Sequence, residues 1–408
     1  MEVFAYLIPY GLEWLNLIVR WLHVITGIAW IGASFYFVWL DNSIRPPAPG
    51  SELAKKGVSG ELWAVHGGGF YNPQKYLLAP AELPKELHWF KWEAYSTWLS
   101  GFALLTIAYY FNAQAMMIDK AVADISSGQA VGIGIATLVI GWTVYDLLCR
   151  SKLAHYELWF GVTVFALIVG AAYVLTHLLS GRAAYIHVGA MIGTIMVANV
   201  LMLIIPGQRK MVEAMAAGKL PDPRHGLKAK QRSVHNNYFT LPVLFIMISN
   251  HYAMTYRNDH AWLVLALIMA AGVFIRHFFN LRHKGRVEWR YPAIGVALLL
   301  AVAIAIAPKA PVAAAPAVDP AAQFQRAHAI IAQRCATCHS AQPTQAGFAT
   351  APAGMMLDNE TQIRQHAAQI YKQAIELKAM PIGNLTNMTE AERSELGAWL
   401  QQTMQGAK

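Results

Sequence analysis

Cys335-Ala336-Thr337-Cys338-His339 sets two thiols and an imidazole in one short stretch near the C-terminus. Cys-x-x-Cys-His is the attachment signature of a c-type haem. The thiols add across the haem vinyl groups and the adjacent histidine ligates the iron. A sixth ligand is expected downstream. Met380, in Lys378-Ala379-Met380-Pro381, is the expected one. A thioether opposite histidine raises the iron's potential, which suits an electron acceptor. Met355, Met356 and Met388 are rivals, read as packing residues. A zinc site is the competing interpretation, but the sequence has no second Cys/His pair at zinc spacing. Cys149 stands alone and is read as a buried free thiol rather than a nucleophile.

A second set of candidates lies upstream, in apolar surroundings. His23, Gly27, Trp30 and Ser34 recur at i, i+4, i+7 and i+11, one helical stripe. A histidine above a glycine on one face can ligate a haem and leave room for its plane. His187, Met191 and Thr194 form a similar stripe, with Gly189 and Gly193 allowing close helix approach. Two imidazoles on different helices at one depth make a b-type haem site, with His23, His187 and His251 as candidates. The alternative is that each histidine bonds a neighbouring helix. Glu93, Asp146 and Arg276 fall near the ends of apolar runs, where snorkelling or helix-end pairing is the default. His66-Gly67-Gly68-Gly69-Phe70-Tyr71 reads as a tight turn that glycine permits. The esterase reading of His-Gly-Gly-Gly fails because no Gly-x-Ser-x-Gly occurs. Arg232-Ser233-Val234-His235-Asn236-Asn237-Tyr238 concentrates polar groups beside an apolar run. A planar anionic heterocycle needs such donors on its rim, with aromatic faces above and below. Ordinary interfacial capping is the alternative for both segments.

The elements that must position these residues follow from composition. Of 408 residues, 13% are charged and 56% hydrophobic, and the mean hydropathy is +0.35. A soluble domain carries about 25% charged residues, so an integral membrane protein is expected, and disordered or collagen-like chains are excluded. Apolar runs appear at 12–40, 89–111, 128–149, 158–179, 184–205, 238–254, 261–280 and 291–307. The sixth is short, and Pro242 is expected to kink it. The connections alternate between rich and poor in Lys and Arg. Residues 41–88, 150–157, 206–237 and 281–290 are rich; 112–127, 180–183 and 255–260 are poor. Positive charge marks the cytoplasmic side, so both termini are expected outside. His23, His177, His187 and His251 then fall in the outer half, and His66, His88, His235 and His277 on the inner side. Basic loops explain the net charge of +9 without nucleic acid. The N-terminus has no basic n-region and no small-residue cleavage site, so a removable signal peptide is not expected.

Residues 308–320 are Ala/Pro-rich and read as a semi-extended linker, with a reach of at most about 40 Å at roughly 3.1 Å per residue. Residues 321–408 have soluble composition. Residues 321–334 are expected to form a helix. Thr389-Glu390-Ala391-Glu392 is a capping box, and Leu396, Trp399 and Leu400 form the buried face of a last helix. The expected fold is therefore all-α: a membrane bundle of about eight spans (1–307), a linker, and a small class I-like cytochrome c domain (321–408). Haem is attached to c-type cytochromes outside the cytoplasmic membrane, which agrees with the charge pattern.

With these residues in hand, the chain resembles the membrane-bound bacterial urate oxidases (urate hydroxylases), which fuse a multi-span domain to a C-terminal cytochrome c. The resemblance covers essentially the whole chain. It rests on the stretch from His23 to Gly32, on Trp63 to Tyr71, on His88-Trp89-Phe90-Lys91-Trp92, on Arg232 to Tyr238, on Ser249-Asn250-His251-Tyr252 and on the Cys-x-x-Cys-His. The first stretch alone is also similar to membrane porphyrinogen oxidases that bind haem, which supports His23 as a ligand. The resemblance implies conversion of urate to 5-hydroxyisourate in the bacterial inner membrane, with electrons leaving through the cytochrome c. Hydroxylation by water releases two electrons while one haem c accepts one, a further motive for a haem b. On that reading the substrate pocket is on the inner side and involves His66, Asn237 and Arg276. Electrons pass outward by the histidines to the periplasmic tail, and then to a terminal oxidase or a soluble cytochrome. Competing readings are a quinol-to-cytochrome electron-transfer protein, a porphyrinogen-type oxidase, and an inert membrane anchor for a cytochrome. The polar inner segments count against the anchor, because a tether needs only one span.

Overall fold

The computed structural model describes residues 2–307, 320–345, 348 and 350–406. The expected linker lies outside the described residues except for Pro320, which opens a helix. The chain is mostly helical. Each of the eight apolar runs falls on helix. These are α1 (Glu2–Ser43), α2 (Trp92–Leu105), α3 (Ser127–Arg150), α4 (Glu157–Thr176), α5 (Gly181–Ala198), α6 (Pro223–Ser249), α7 (Ala261–His283) and α8 (Arg290–Ala305). Five of them have the length and apolarity to cross a membrane: α1, α3, α4, α5 with its continuation to Ala216, and α7.

The helices start where local chemistry satisfies their free N–H groups. Ser126 and Gln129 form a capping box at α3, with the Ser126 N–H donating to Gln129 Oε1 at 2.8 Å. Ser180 accepts from the Ala183 N–H at α5. Asp222 caps α6 with Pro223 in its first turn. The sixth run is corrected here. The helix begins at Pro223, well before the apolar stretch, and Pro242 sits inside it without ending it. In its last polar turns, Gln231, Arg232, His235, Asn236 and Asn237 find partners on neighbouring segments, a tertiary effect that hydropathy does not register. Gly272 of α7 lets that helix pass close to Pro242, where an added Cβ would lie 3.4 Å from the ring.

α5 is the central helix, packed against α2, α3, α4 and α6. Its Tyr185, Val188 and Ile192 join Leu265 and Met269 of α7 and Ile246 of α6 in the main core. Between helices in lipid, such contacts act through close packing rather than through burial from water. α1 is peripheral. It lies mainly along α2, and no residue of its most apolar stretch is buried by protein. Two helices of the bundle relax into π-turns, α2 at Thr106–Tyr110 and α5 at Asn199–Ile204, and the tail has a third at Tyr371–Glu376.

The 41–88 segment departs from the all-α expectation with four short strands, β1 (Gly60–Glu61), β2 (Ala64–His66), β3 (Gly69–Tyr71) and β4 (Gln74–Lys75). β2 and β3 pair antiparallel with Ala64 opposite Tyr71 and His66 opposite Gly69. Gly67 and Gly68 turn the hairpin at φ +58° and +81°, a two-residue turn that only glycine makes without strain. β1 pairs with β4 around it.

The tail packs α9 (Pro320–Arg334) against α10 (Glu390–Gly406). The expected capping box is present: the Glu392 N–H donates to Thr389 Oγ1 and the Thr389 N–H to Glu392 Oε2. Leu396, Trp399 and Leu400 are buried together with Ile330, Ile331 and Ile363, each such side chain contributing about 1.5–3 kcal/mol.

The tail rests on one end of the bundle. Gly383 abuts the backbone at Ala115 and Ile118. Ala379 and Ile382 share a notch with Ser180, Gly181, Arg182, Tyr256 and Arg257. Thr350 donates to Glu13 Oε1 at 2.9 Å. These connections, 112–127, 180–183 and 255–260, are the three poor in Lys and Arg. The basic segments gather at the opposite end. There, Lys75 sits near Lys230, and burial first, then that like charge, lowers its pKa.

Candidate functional site

The tail motif follows directly from the end of α9. The Cys335 N–H still donates to Ile331 O and the His339 N–H to Cys335 O, which holds the three side chains in one turn. His339 Nδ1 lies 3.1 Å from the Met355 carbonyl. A carbonyl only accepts, so Nδ1 carries the proton and Nε2 keeps its lone pair for a metal. Burial lowers the His339 pKa, so the ring is neutral at pH 7. Burial also pushes the Cys335 thiol up to about 12, and neither cysteine forms a disulfide. Met380 is half-buried against the tail core, and its carbonyl accepts from the buried Arg393 at 2.8 Å. Met388 is buried in that core, Met355 packs on it, and Met356 is largely exposed. The donor set of two free thiols, one imidazole whose Nε2 has no hydrogen-bond partner among the described residues, and the thioether of Met380 fits a c-type haem.

The polar interior lies at the other end of the bundle and is organised by α6, which presents polar groups on two faces. Toward α3 and the π-turn of α5, Arg232 pairs with Asp146 at 2.7 Å and donates to Asn199 Oδ1. Asn199 bridges to Tyr145 and Asn236. Tyr145 meets His235 Nδ1 at 2.8 Å, and the His235 ring stacks on Phe160. Asp146 therefore does not snorkel. It is buried and pairs with two arginines, the buried Arg232 and the exposed Arg150 one helical turn on. Arg232 is consumed in this network and is not a free donor. Cys149 gains a neighbour the sequence did not place, His235 Nδ1 at 4.0 Å.

Toward α7, the polar groups are less completely paired. Arg276 Nε donates to Asn237 Oδ1, and Asn237 donates on to Asn280 Oδ1 at 3.0 Å. The guanidinium lies 4.2 Å from the centre of the Phe35 ring of α1. All of Asn237, Arg276 and Asn280 are buried, yet Arg276 Nη2 has no hydrogen-bond partner among the described residues. An unanswered buried donor on a full charge is costly, so this nitrogen is left to pair with a further acceptor. Beside it, Tyr238 meets His277 Nδ1 at 2.7 Å. Two of the three expected pocket residues, Asn237 and Arg276, are thus in direct contact. The third, His66, is exposed on the hairpin and no hydrogen bond joins it to the pair. Sequence reasoning missed Phe35 and Asn280. Asn280 had a signal, because it follows Arg276 by one helical turn; Phe35 had none.

The outer histidines are separate. His23 Nδ1 reaches Thr97 O and Ser100 Oγ on α2, with Gly101 of that helix against its ring. His187 is fully buried; its Nδ1 reaches Ala183 O and its Nε2 the Tyr110 hydroxyl at 3.3 Å. Gly134 of α3 stands over that Nε2, so His187 as placed has no open coordination position. His251 is exposed in the turn after α6. No hydrogen bond joins any two of the three.

These features define a mostly helical protein with membrane-type helices and charged groups enclosed among them. Within that class, the chain belongs to the urate oxidase N-terminal family, whose model matches residues 9–307. No curated protein and no solved structure matches it.

Proposed function

We propose that this protein is a membrane urate oxidase of about eight spans that passes electrons to a haem c in its own tail. Family membership supports urate as the substrate. The observation that carries the assignment of a site is the buried Arg276 with one nitrogen unanswered beside Asn237. Urate is a planar anion at neutral pH, with amide-like donors and acceptors on its rim. Arg276 Nη2 would meet an anionic edge, Asn237 and Asn280 the adjacent donors and acceptors, and Phe35 a ring face. The reaction adds the oxygen of water to urate to give 5-hydroxyisourate, releasing two electrons and two protons. His277, hydrogen-bonded to Tyr238, is the titratable pair next to the site and suits the proton traffic. A haem c would be held by Cys335, Cys338, His339 and Met380 and would supply one-electron acceptance. His23, with Nδ1 engaged at Thr97, is the best placed of the outer histidines for a haem b. The Lys/Arg pattern supports a periplasmic tail.

The test is an anaerobic visible spectrum of the oxidised protein before and after addition of urate. Reduction of the c-haem band is expected. A band that urate leaves oxidised and a quinol reduces would replace this reading with a quinol-to-cytochrome one. That second reading has its own observation, an apolar groove of about 300 Å³ between α6, α7 and α8, lined by Phe245, Ile248, Leu299 and Val302.

A further inference from the structure

We infer that residues 379–383 form the contact through which electrons enter the tail, with Gly383 as its positioning residue. This inference rests on the haem c proposed above.

Each step from Met380 to the bundle is held by hydrogen bonds or close backbone contact. On the tail side, the buried Arg393 donates to the carbonyls of Ala374 and Met380. Asn384 ties the same segment to Met388 by hydrogen bonds in both directions, at 3.0 and 3.1 Å. On the bundle side, the platform is backbone. Ala115, Met117 and Ile118 are buried. Ser180 donates its N–H to Met117 O at 2.8 Å and its hydroxyl to Met116 O at 3.0 Å. Arg257 holds Asp119 at 3.1 Å. Gly383 closes the gap at φ +55°, where a Cβ would lie 2.8 Å from Ile118 O and 3.1 Å from Ala115 O. Carbonyl oxygens in a locked backbone do not yield, so only glycine permits this approach. The platform also leads inward. Tyr110 precedes it on the same segment, and His187 lies further along α5, the helix that Ser180 caps.

The test uses two variants of the full-length protein. Gly383→Val should lift the segment off the platform. The c-haem content and its reduction by ascorbate should stay at wild-type values, while stopped-flow reduction of the c-haem by urate slows about tenfold or more. The double variant Ala115→Cys/Ile382→Cys should form an intrachain crosslink on mild oxidation, identified by mass spectrometry. The crosslinked protein should be reduced by urate at the wild-type rate. A wild-type rate in Gly383→Val, no crosslink, or slow reduction once crosslinked would overturn the inference. If urate fails to reduce even the wild-type haem, the functional reading falls. The crosslink yield, and the same rates measured with a quinol, still decide the contact.

Discussion

Arg276 carries a permanent charge into the bundle, and its neighbours answer only part of it. Asn237 takes Nε, Phe35 covers the face, and Nη2 has no partner. The contrast with Arg232 is instructive, since that residue has Asp146, Asn199 and the faces of Trp142 and Tyr145. One arginine is structural by its completeness and the other available by its lack of it. Arg276→Gln should therefore lower kcat/KM for urate about ten- to a hundredfold, the loss of a charge-assisted hydrogen bond of ~1.5–3 kcal/mol. The c-haem content should not change. Urate turnover at the wild-type level would remove Arg276 from the site. The sequence made both arginines visible as ionisable groups beside apolar runs. It did not tell them apart, because what separates them is the carboxylate of Asp146 on a helix far away in the chain.

At the scale of elements, two features set the geometry where polar residues meet. The π-turns of α2 and α5 end at Tyr110 and begin at Asn199, the residues that reach His187 and Arg232. A π-turn rotates the side chains beyond it relative to a regular helix, and such turns often accompany function. Hydrophobic periodicity cannot show one inserted residue in an apolar run, so neither was expected. Helix positions and the tail's capping box were legible, because apolar length and cap chemistry are local. The start of α6 was not, because its polar turns depend on partners in α3, α5 and α7. Close approach gives the second feature. A Cβ on Gly181 would collide with the Tyr256 carbonyl, whereas one on Gly141 would meet only the flexible Met191 side chain. Gly181→Ala should destabilise the protein by about 1–3 kcal/mol and Gly141→Ala by clearly less, read as thermal unfolding in detergent. Equal effects would show that the α5 terminus can shift.

For the whole molecule, the distribution of charge and the seat of the tail agree. The tail covers the end formed by the Lys/Arg-poor connections, and the basic segments lie at the other. Lys120 and Lys284 are both exposed, one in a connection of each kind. In intact spheroplasts, a membrane-impermeant maleimide should label Lys120→Cys and spare Lys284→Cys; the reverse pattern would invert the orientation. Composition separates a strongly apolar stretch from a polar one. The seat of one part on the other was not legible there, because it depends on backbone surfaces that no motif encodes.

The notch around Gly383 is small, and alone it would make a weak complex. Fusion changes the arithmetic. Residues 308–320 can span at most about 45 Å at full extension, which would keep the tail near its seat at an effective concentration on the order of millimolar. A contact with an intrinsic dissociation constant of about 10 μM would then be closed roughly 99% of the time and still open quickly. On the function proposed above, the same tail surface would be both occupied and renewable: it would take an electron on the bundle, let go, and present its charge to the next carrier.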